Sequence, residues 1–171
     1  MVESAIKPEG AELMNENVET GCCPRFDPNP WDEKEISWQD KLFMKDCVWC
    51  FFYVPVNMNG VMLRSMDKIR SADAFANEPV LLYDARSMWR AGVYFAVDRD
   101  VPDAEMTRIS GDFLTKVYEG PYKDCGKWAK DMKEYVKAKE RELKHLYFFY
   151  TTCPKCAEAY GENYTVLLAK V

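Results

Sequence analysis

The side chains best equipped for chemistry in this chain are phenols. Tyr53, Tyr94, Tyr118, Tyr122, Tyr147, Tyr150 and Tyr164 fall in the same stretches as Phe51, Phe52, Trp89, Trp128 and Phe149. Any single aromatic residue is more often plain core. A buried phenol needs a hydrogen-bond partner, however, and several converging phenols suit a pocket that stacks a flat ligand. Glu119 stands beside Tyr118 and just before Gly120-Pro121-Tyr122. An acid at the mouth of an aromatic cleft has its pKa raised by desolvation and can serve as acid or base. The plainer alternative is a solvated carboxylate at a strand end. His145 is the single histidine, so a Ser–His or Cys–His nucleophile system would have to use it. It follows a lysine near the end of an expected helix, where a positive charge is favourable, and capping is its preferred role.

The cysteines form the next group. Cys153-Pro154-Lys155-Cys156 is a Cys-x-x-Cys pair, and Cys22-Cys23 adds two thiols. Four thiolates can hold zinc tetrahedrally, and a Cys-x-x-Cys pair at a helix start can also be a redox couple. The first pair is adjacent and lacks the spacing of a chelating knuckle. Structural thiols, partly buried under an extended strap over 22–31, are therefore preferred. No metal site is assigned and no cofactor is expected. There is no glycine-rich phosphate loop, no His-Glu-x-x-His and no nucleophile elbow.

The elements that must position these groups occur twice. Asp46 to Val97 reads as an apolar strand, an amphipathic helix and two more strands, and Asp112 to Val171 reads the same way. Tyr53 falls where Tyr118 falls, Gly60 where Gly126 falls, and Met66 where Met132 falls. Two such units predict an α+β fold with pseudo-two-fold symmetry, an antiparallel sheet, two main helices and a cleft where the halves meet. The run Cys47 to Val56 predicts a strand buried on both faces. Helices are expected over 59–72 and from Asp124 to about Leu143. Strands are expected over 80–84, 92–97, 113–119, 146–151 and 164–171. Cys153 to Tyr160 suits one or two helical turns, ended by Gly161. The boundaries are a leader and Pro/Trp strap over 1–45, then one domain over 46–171 with repeat units 46–98 and 112–171. Met1 to Gly21 carries five glutamates and is expected to be mobile or loosely docked. Pro24, Pro28 and Pro30 extend the strap, which Phe26, Trp31 and Trp38 pin to the body.

The chain has 171 residues, 48% of them hydrophobic and 30% charged, which suits a folded single domain. Its formal net charge of −5 and lack of a basic run weigh against nucleic acid. No apolar run is long enough to span a membrane, and no signal pattern opens the chain. The seven cysteines are an odd number, as expected of thiols kept reduced in the cytoplasm. A small molecule is the expected partner; nothing indicates a protein partner.

Val117-Tyr118-Glu119-Gly120-Pro121-Tyr122, leading into an amphipathic helix, resembles the Gly-Pro-Tyr signature of the GyrI-like small-molecule-binding family. That family has the duplicated strand–helix–strand–strand fold. It includes gyrase inhibitors and the effector domains of multidrug-sensing transcription regulators. Two further stretches resemble a stand-alone branch known as cyclopropanoid cyclopropyl hydrolases. One is Cys23-Pro24-Arg25-Phe26-Asp27-Pro28-Asn29-Pro30-Trp31-Asp32-Glu33-Lys34, with Trp38 and Lys41-Leu42-Phe43. The other is Tyr150-Thr151-Thr152-Cys153-Pro154-Lys155-Cys156-Ala157, with Tyr160-Gly161. Members of that branch open the strained ring of DNA-alkylating natural products inside an aromatic cage. The family's regulators that bind cationic drugs place a buried glutamate on the last strand. Here Tyr164 to Val171 contains no acid, which implies a neutral flat ligand. With no helix-turn-helix segment, a free-standing enzyme or binder fits better than a regulator. The resemblance thus implies detoxification of planar electrophiles. The expected cage is Phe52, Trp89, Tyr94, Tyr122, Trp128, Tyr147, Phe149 and Tyr164. Tyr118 would be hydrogen-bond donor and Glu119 would orient water. The alternative is a non-catalytic sequestering protein or a gyrase-inhibitor-like partner-binding protein.

Overall fold

The computed structural model describes residues 23–171; Cys22 and the glutamate-rich stretch before it lie outside the described residues. The strands are β1 (Lys34–Phe51), β2 (Val54–Pro55), β3 (Leu81–Asp84), β4 (Arg90–Ala96), β5 (Glu105–Glu119), β6 (His145–Tyr150) and β7 (Tyr164–Lys170). The helices are α1 (Met58–Ser71), α2 (Cys125–Ala138) and the short α3 (Pro154–Tyr160). Apart from the two-residue β2 and the short α3 between β6 and β7, the order is strand–helix–strand–strand, twice, as the sequence predicts.

Six strands run in the order β1-β4-β3-β6-β7-β5, and β5 pairs back to β1. All pairings are antiparallel, so the sheet closes into a barrel. The two halves meet at two seams. The long one joins β1 to β5, from Lys34↔Thr115 to Lys45↔Glu105, with a bulge between Trp38 and Lys41. The short one joins β3 to β6 through Leu82↔Phe149 and Tyr83↔Phe148. Successive strand residues face opposite sides. Phe43, Leu82, Tyr94, Phe113, Phe149 and Val166, one from each barrel strand, share the interior cluster. On the outside, α1 covers Met44, Val48, Val93 and Phe95. There α2 covers Leu114, Leu167 and Ala169.

The strap closes one mouth of this barrel. Phe26 lies 6.1 Å from Phe149 and 5.9 Å from Tyr164, and Trp31 lies 5.4 Å from Phe149, between ring centres. The Thr115 hydroxyl donates to the Trp31 carbonyl, and the Val117 N–H donates to the Asp32 carboxylate. Trp38 belongs to β1 itself and packs on Phe43 and Phe113.

Three expectations need correction. The first strand begins at Lys34, and the run Cys47 to Val56 is not buried on both faces. Its last pair with β4 is Trp49↔Arg90. Beyond that rim the chain turns at Phe52 and Tyr53, both at positive φ (47° and 68°). Phe51, Phe52 and Tyr53 are consequently exposed. Second, α2 stops at Ala138. The Lys139 N–H closes on the Tyr135 and Val136 carbonyls, and Glu140 at φ 55° takes the chain away. Third, the residue match between repeats is shifted. Trp49↔Arg90 ends the β1·β4 ladder, as Glu119↔Tyr164 ends β5·β7. By that register Val48, not Tyr53, corresponds to Tyr118.

Because both seams are shared, the halves should not melt separately. Phe113 is fully buried in the interior, so Phe113→Ala is expected to cost about 3–5 kcal/mol. Urea unfolding followed by tryptophan fluorescence and circular dichroism should give one coincident transition, shifted to lower urea. Two separated transitions would contradict a shared core.

Candidate functional site

Two helices cannot cover the outside of six strands. The middle strands β3 and β6 lie between α1 and α2. Their outward residues are Leu81 and Tyr83 from β3, and Leu146, Phe148 and Tyr150 from β6. Of these only Tyr83 is buried, and the others are half-buried. They form a half-buried aromatic strip between the two helices, which we read as the floor of a shallow groove. Tyr83 and Tyr150 stand 5.6 Å apart between ring centres, and Phe148 stacks with Tyr150 at 6.2 Å and 19°. Tyr122, in the turn before α2, meets Tyr150 edge-on at 5.3 Å and donates its hydroxyl to the Thr152 carbonyl at 3.0 Å. Met62 and Met66 of α1 pack on the same cluster as Phe148 and Tyr150.

The phenols of the floor meet thiols. Tyr83 Oη lies 3.4 Å from Cys50 Sγ, and Tyr150 Oη lies 3.8 Å from Cys125 Sγ. Sulfur is a weak partner, so each hydroxyl keeps donating capacity for a better acceptor. Burial, with help from the neighbouring thiols, pushes both phenols well above their ordinary value. Burial likewise raises Tyr122 and the Cys125 thiol. The groove therefore offers flat apolar surface and neutral O–H donors.

The barrel interior is a different environment. Phe43, Leu82, Phe113, Val166 and Leu168 fill it and are fully buried. Near one end sits a polar chain. The buried Asp84 carboxylate accepts from Arg86 Nε at 2.6 Å, and Arg86 Nη2 donates to Tyr94 Oη at 2.9 Å. His145 Nε2 is 3.0 Å from Asp84 Oδ1, and its ring lies 4.5 Å from that of Tyr147. Gly92 makes room for this arrangement, since a Cβ there would come within 3.0 Å of the Tyr94 ring. His145 is thus not a helix cap: it opens β6, well past the end of α2. Asp84 is a buried acid on β3, and Arg86 balances its charge.

The side chains expected to form one cage are distributed over five places. Tyr94, Tyr147 and Phe149 are in the filled interior. Tyr164 touches Phe26 at the strapped mouth, and the exposed Glu119 pairs with it at the strand ends. Tyr118 stacks on Trp128 at 5.7 Å and donates to Asp131 Oδ2 at 2.7 Å, beneath α2. Phe52 and Trp89 form an exposed cluster with Phe51 at the β1–β2 tip. Only Tyr122 borders the groove. The floor residues Tyr83 and Phe148 went unnoticed in the sequence, although alternation holds the signal. In His145-Leu146-Tyr147-Phe148-Phe149-Tyr150 the odd positions face the interior, which leaves Phe148 and Tyr150 outside.

The family model described as "Bacterial hydrolase" matches residues 13–171. The chain belongs to the bacterial hydrolase family. The match spans the strap and both repeat units, so the groove, the barrel and the strapped mouth are all parts of the family's domain. A solved structure, that of SAV2435 bound to tetraphenylphosphonium, is similar over 81% of this chain and 92% of its own, with 10% identity and a TM-score of 0.48. No curated protein matches this member of the bacterial hydrolase family. Among the described residues, no helix is long and apolar enough to cross a membrane.

The buried phenols give a measurable signature. Burial pushes Tyr147 from 10.0 up to about 12, and Tyr83, Tyr118 and Tyr150 are raised as well. The folded pKa exceeds the unfolded one, so the resulting stability is complete below pH 10 and is lost as pH climbs toward 12. Ultraviolet titration of tyrosinate should show a class that ionises only with alkaline unfolding. In urea all phenols should titrate together near the ordinary value. Full ionisation near pH 10 with a native circular dichroism spectrum would contradict this burial.

Proposed function

We propose that this chain binds flat, apolar, neutral small molecules in the groove between α1 and α2, and that it hydrolyses reactive cyclopropanoid compounds held there. The observation that carries the proposal is the floor of Tyr83, Phe148 and Tyr150, walled by Tyr122. A planar substrate lies on Phe148 and Tyr150. The exposed rings of Phe52 and Trp89 add apolar surface beyond the Cys50 end of the groove. The side chains that form the groove, Tyr83, Tyr122, Phe148, Tyr150, Met62 and Met66, include no carboxylate to attract a cation, which supports a neutral ligand.

In the chemical step the Tyr150 hydroxyl, or that of Tyr83, donates to a substrate carbonyl conjugated with the cyclopropane. Water attacks the strained ring carbon and forms a C–O bond. The C–C bond of the ring breaks, and its electron pair moves through the conjugated system onto the carbonyl oxygen. The proton released by the water ends on that oxygen, so the net change is addition of water. The donor stabilises charge that develops only as the ring opens, while strain supplies much of the driving force. This explains how a site lacking a nucleophilic triad can still be catalytic. The donor assigned here is Tyr150 in place of Tyr118, whose hydroxyl is engaged with Asp131.

The test is incubation of a cyclopropanoid compound with a small molar fraction of the protein, followed by chromatography and mass spectrometry. Turnover well beyond one equivalent is expected. Protection of one equivalent with unchanged compound would make the protein a sequestering binder. Tyr150→Phe keeps the ring and removes the donor; kcat should fall about 10²- to 10³-fold with little change in KM. If kcat survives in both Tyr150→Phe and Tyr83→Phe, the donor assignment is wrong. Glu119→Gln tests the strand-end carboxylate: turnover falls at nearly constant affinity only if Glu119 orients the attacking water.

A further inference from the structure

A second cluster of reactive groups lies outside the groove. The sulfur atoms of Cys23, Cys153 and Cys156 all lie within 4.8 Å of one another. Cys153 immediately precedes α3, and Cys156 is buried in its first turn. Pro154 stands at the start of the helix between them. This is the Cys-x-x-Cys knuckle geometry, in which two sulfurs from one turn face a common point. The third sulfur comes from the strap, at the opposite end of the described chain. By spacing alone, the adjacent Cys22 and Cys23 lack the separation of a chelating pair. In the fold, one spaced pair and one remote cysteine converge.

We propose that these three thiolates bind a thiophilic ion of the zinc class and clasp the strap to α3. Tetrahedral zinc, about 2.3 Å from each sulfur, holds its sulfurs roughly 3.8 Å apart, which is compatible with the observed spread. Three thiolates leave one tetrahedral position, which water or a fourth protein atom completes. The site is held in place by contacts that do not involve the ion. The Tyr160 hydroxyl, at the end of α3, donates to the Cys23 carbonyl. The Arg25 guanidinium lies 4.6 Å over the Tyr160 ring and 3.5 Å from Glu162. Cys23 is therefore brought to the Cys153–Cys156 turn by the protein itself, which lowers the ordering cost of binding.

The clasp sits between two parts already described. On one side it anchors the strap whose Phe26 and Trp31 close the barrel mouth. On the other it fixes the segment following Thr152, whose carbonyl holds the Tyr122 wall of the groove. Binding deprotonates the thiols and releases protons, so affinity rises with pH.

The test uses the full chain, reduced and kept free of oxygen. Cobalt(II) titration should give intense sulfur-to-cobalt charge-transfer bands and tetrahedral visible bands that saturate at one ion per chain. Zinc should displace the cobalt, and elemental analysis should find one zinc. Cys23→Ser and Cys156→Ser should each lose stoichiometric binding, whereas Cys47→Ser, at an exposed site on β1, should retain it. Circular dichroism of the Cys23→Ser variant separates ligand loss from unfolding. In the metal-bound protein, trypsin should cut slowly after Arg25, and a chelator should abolish that protection. The proposal is overturned if the reduced chain binds no stoichiometric ion. It is equally overturned if Cys23→Ser binds as tightly as the parent, or if two of the three sulfurs are joined in a disulfide whose reduction yields no binding.

Discussion

Closure of six strands into one barrel governs the rest of this molecule. Closure is made by two antiparallel seams, β1 with β5 and β3 with β6, that join the repeat units edge to edge. It removes every free edge from the main sheet and fixes an inside and an outside. The inside is small enough for its own aromatic and aliphatic side chains to fill. The outside needs cover, and each repeat unit brings only one long helix. With α1 over β1 and β4, and α2 over β5 and β7, the short middle strands receive the least. The groove is thus a consequence of duplication: each unit shields its own outer strands, and the seam between units stays partly open.

Electrostatics divides the two aromatic environments. The interior contains an acid, but Arg86 lies against it and Tyr94 and His145 complete the chain. A carboxylate buried without such partners would be costly. The groove contains phenols, and the Cys125 thiol, that burial keeps protonated, so it presents donors without charge. A flat neutral ligand matches the groove in shape and in polarity. An organic cation would find aromatic faces there but no countercharge.

Much of the fold could be read from the residues. The repeat, both main helices and the final hairpin around α3 follow from hydrophobic period, the Gly-Pro turn and Gly161 at its left-handed φ of 69°. The closed barrel could not, because strand pairing is non-local: nothing in the spacing says that β5 returns to β1. The same gap misled the site. Tyr118 and Tyr122 stand four positions apart, yet α2 lies over the first and the second faces the groove. Phe148 and Phe149 are adjacent and lie on opposite sides of the sheet. Once the inside is known, period two assigns each ring to its compartment. Asp84 illustrates the same limit, since an acid two residues before an arginine reads as surface until the barrel buries it.

The central claim is that a flat ligand occupies the groove between the helices and not the barrel interior or the exposed tip. It is tested most directly by nuclear Overhauser contacts between a bound planar aromatic compound and the protein's aromatic rings. Contacts to Phe148, Tyr150 and Tyr122, together with the methionine methyls of Met62 and Met66, are the expected result. Contacts confined to Tyr94 and Phe149, or to Phe52 and Trp89, would contradict the account.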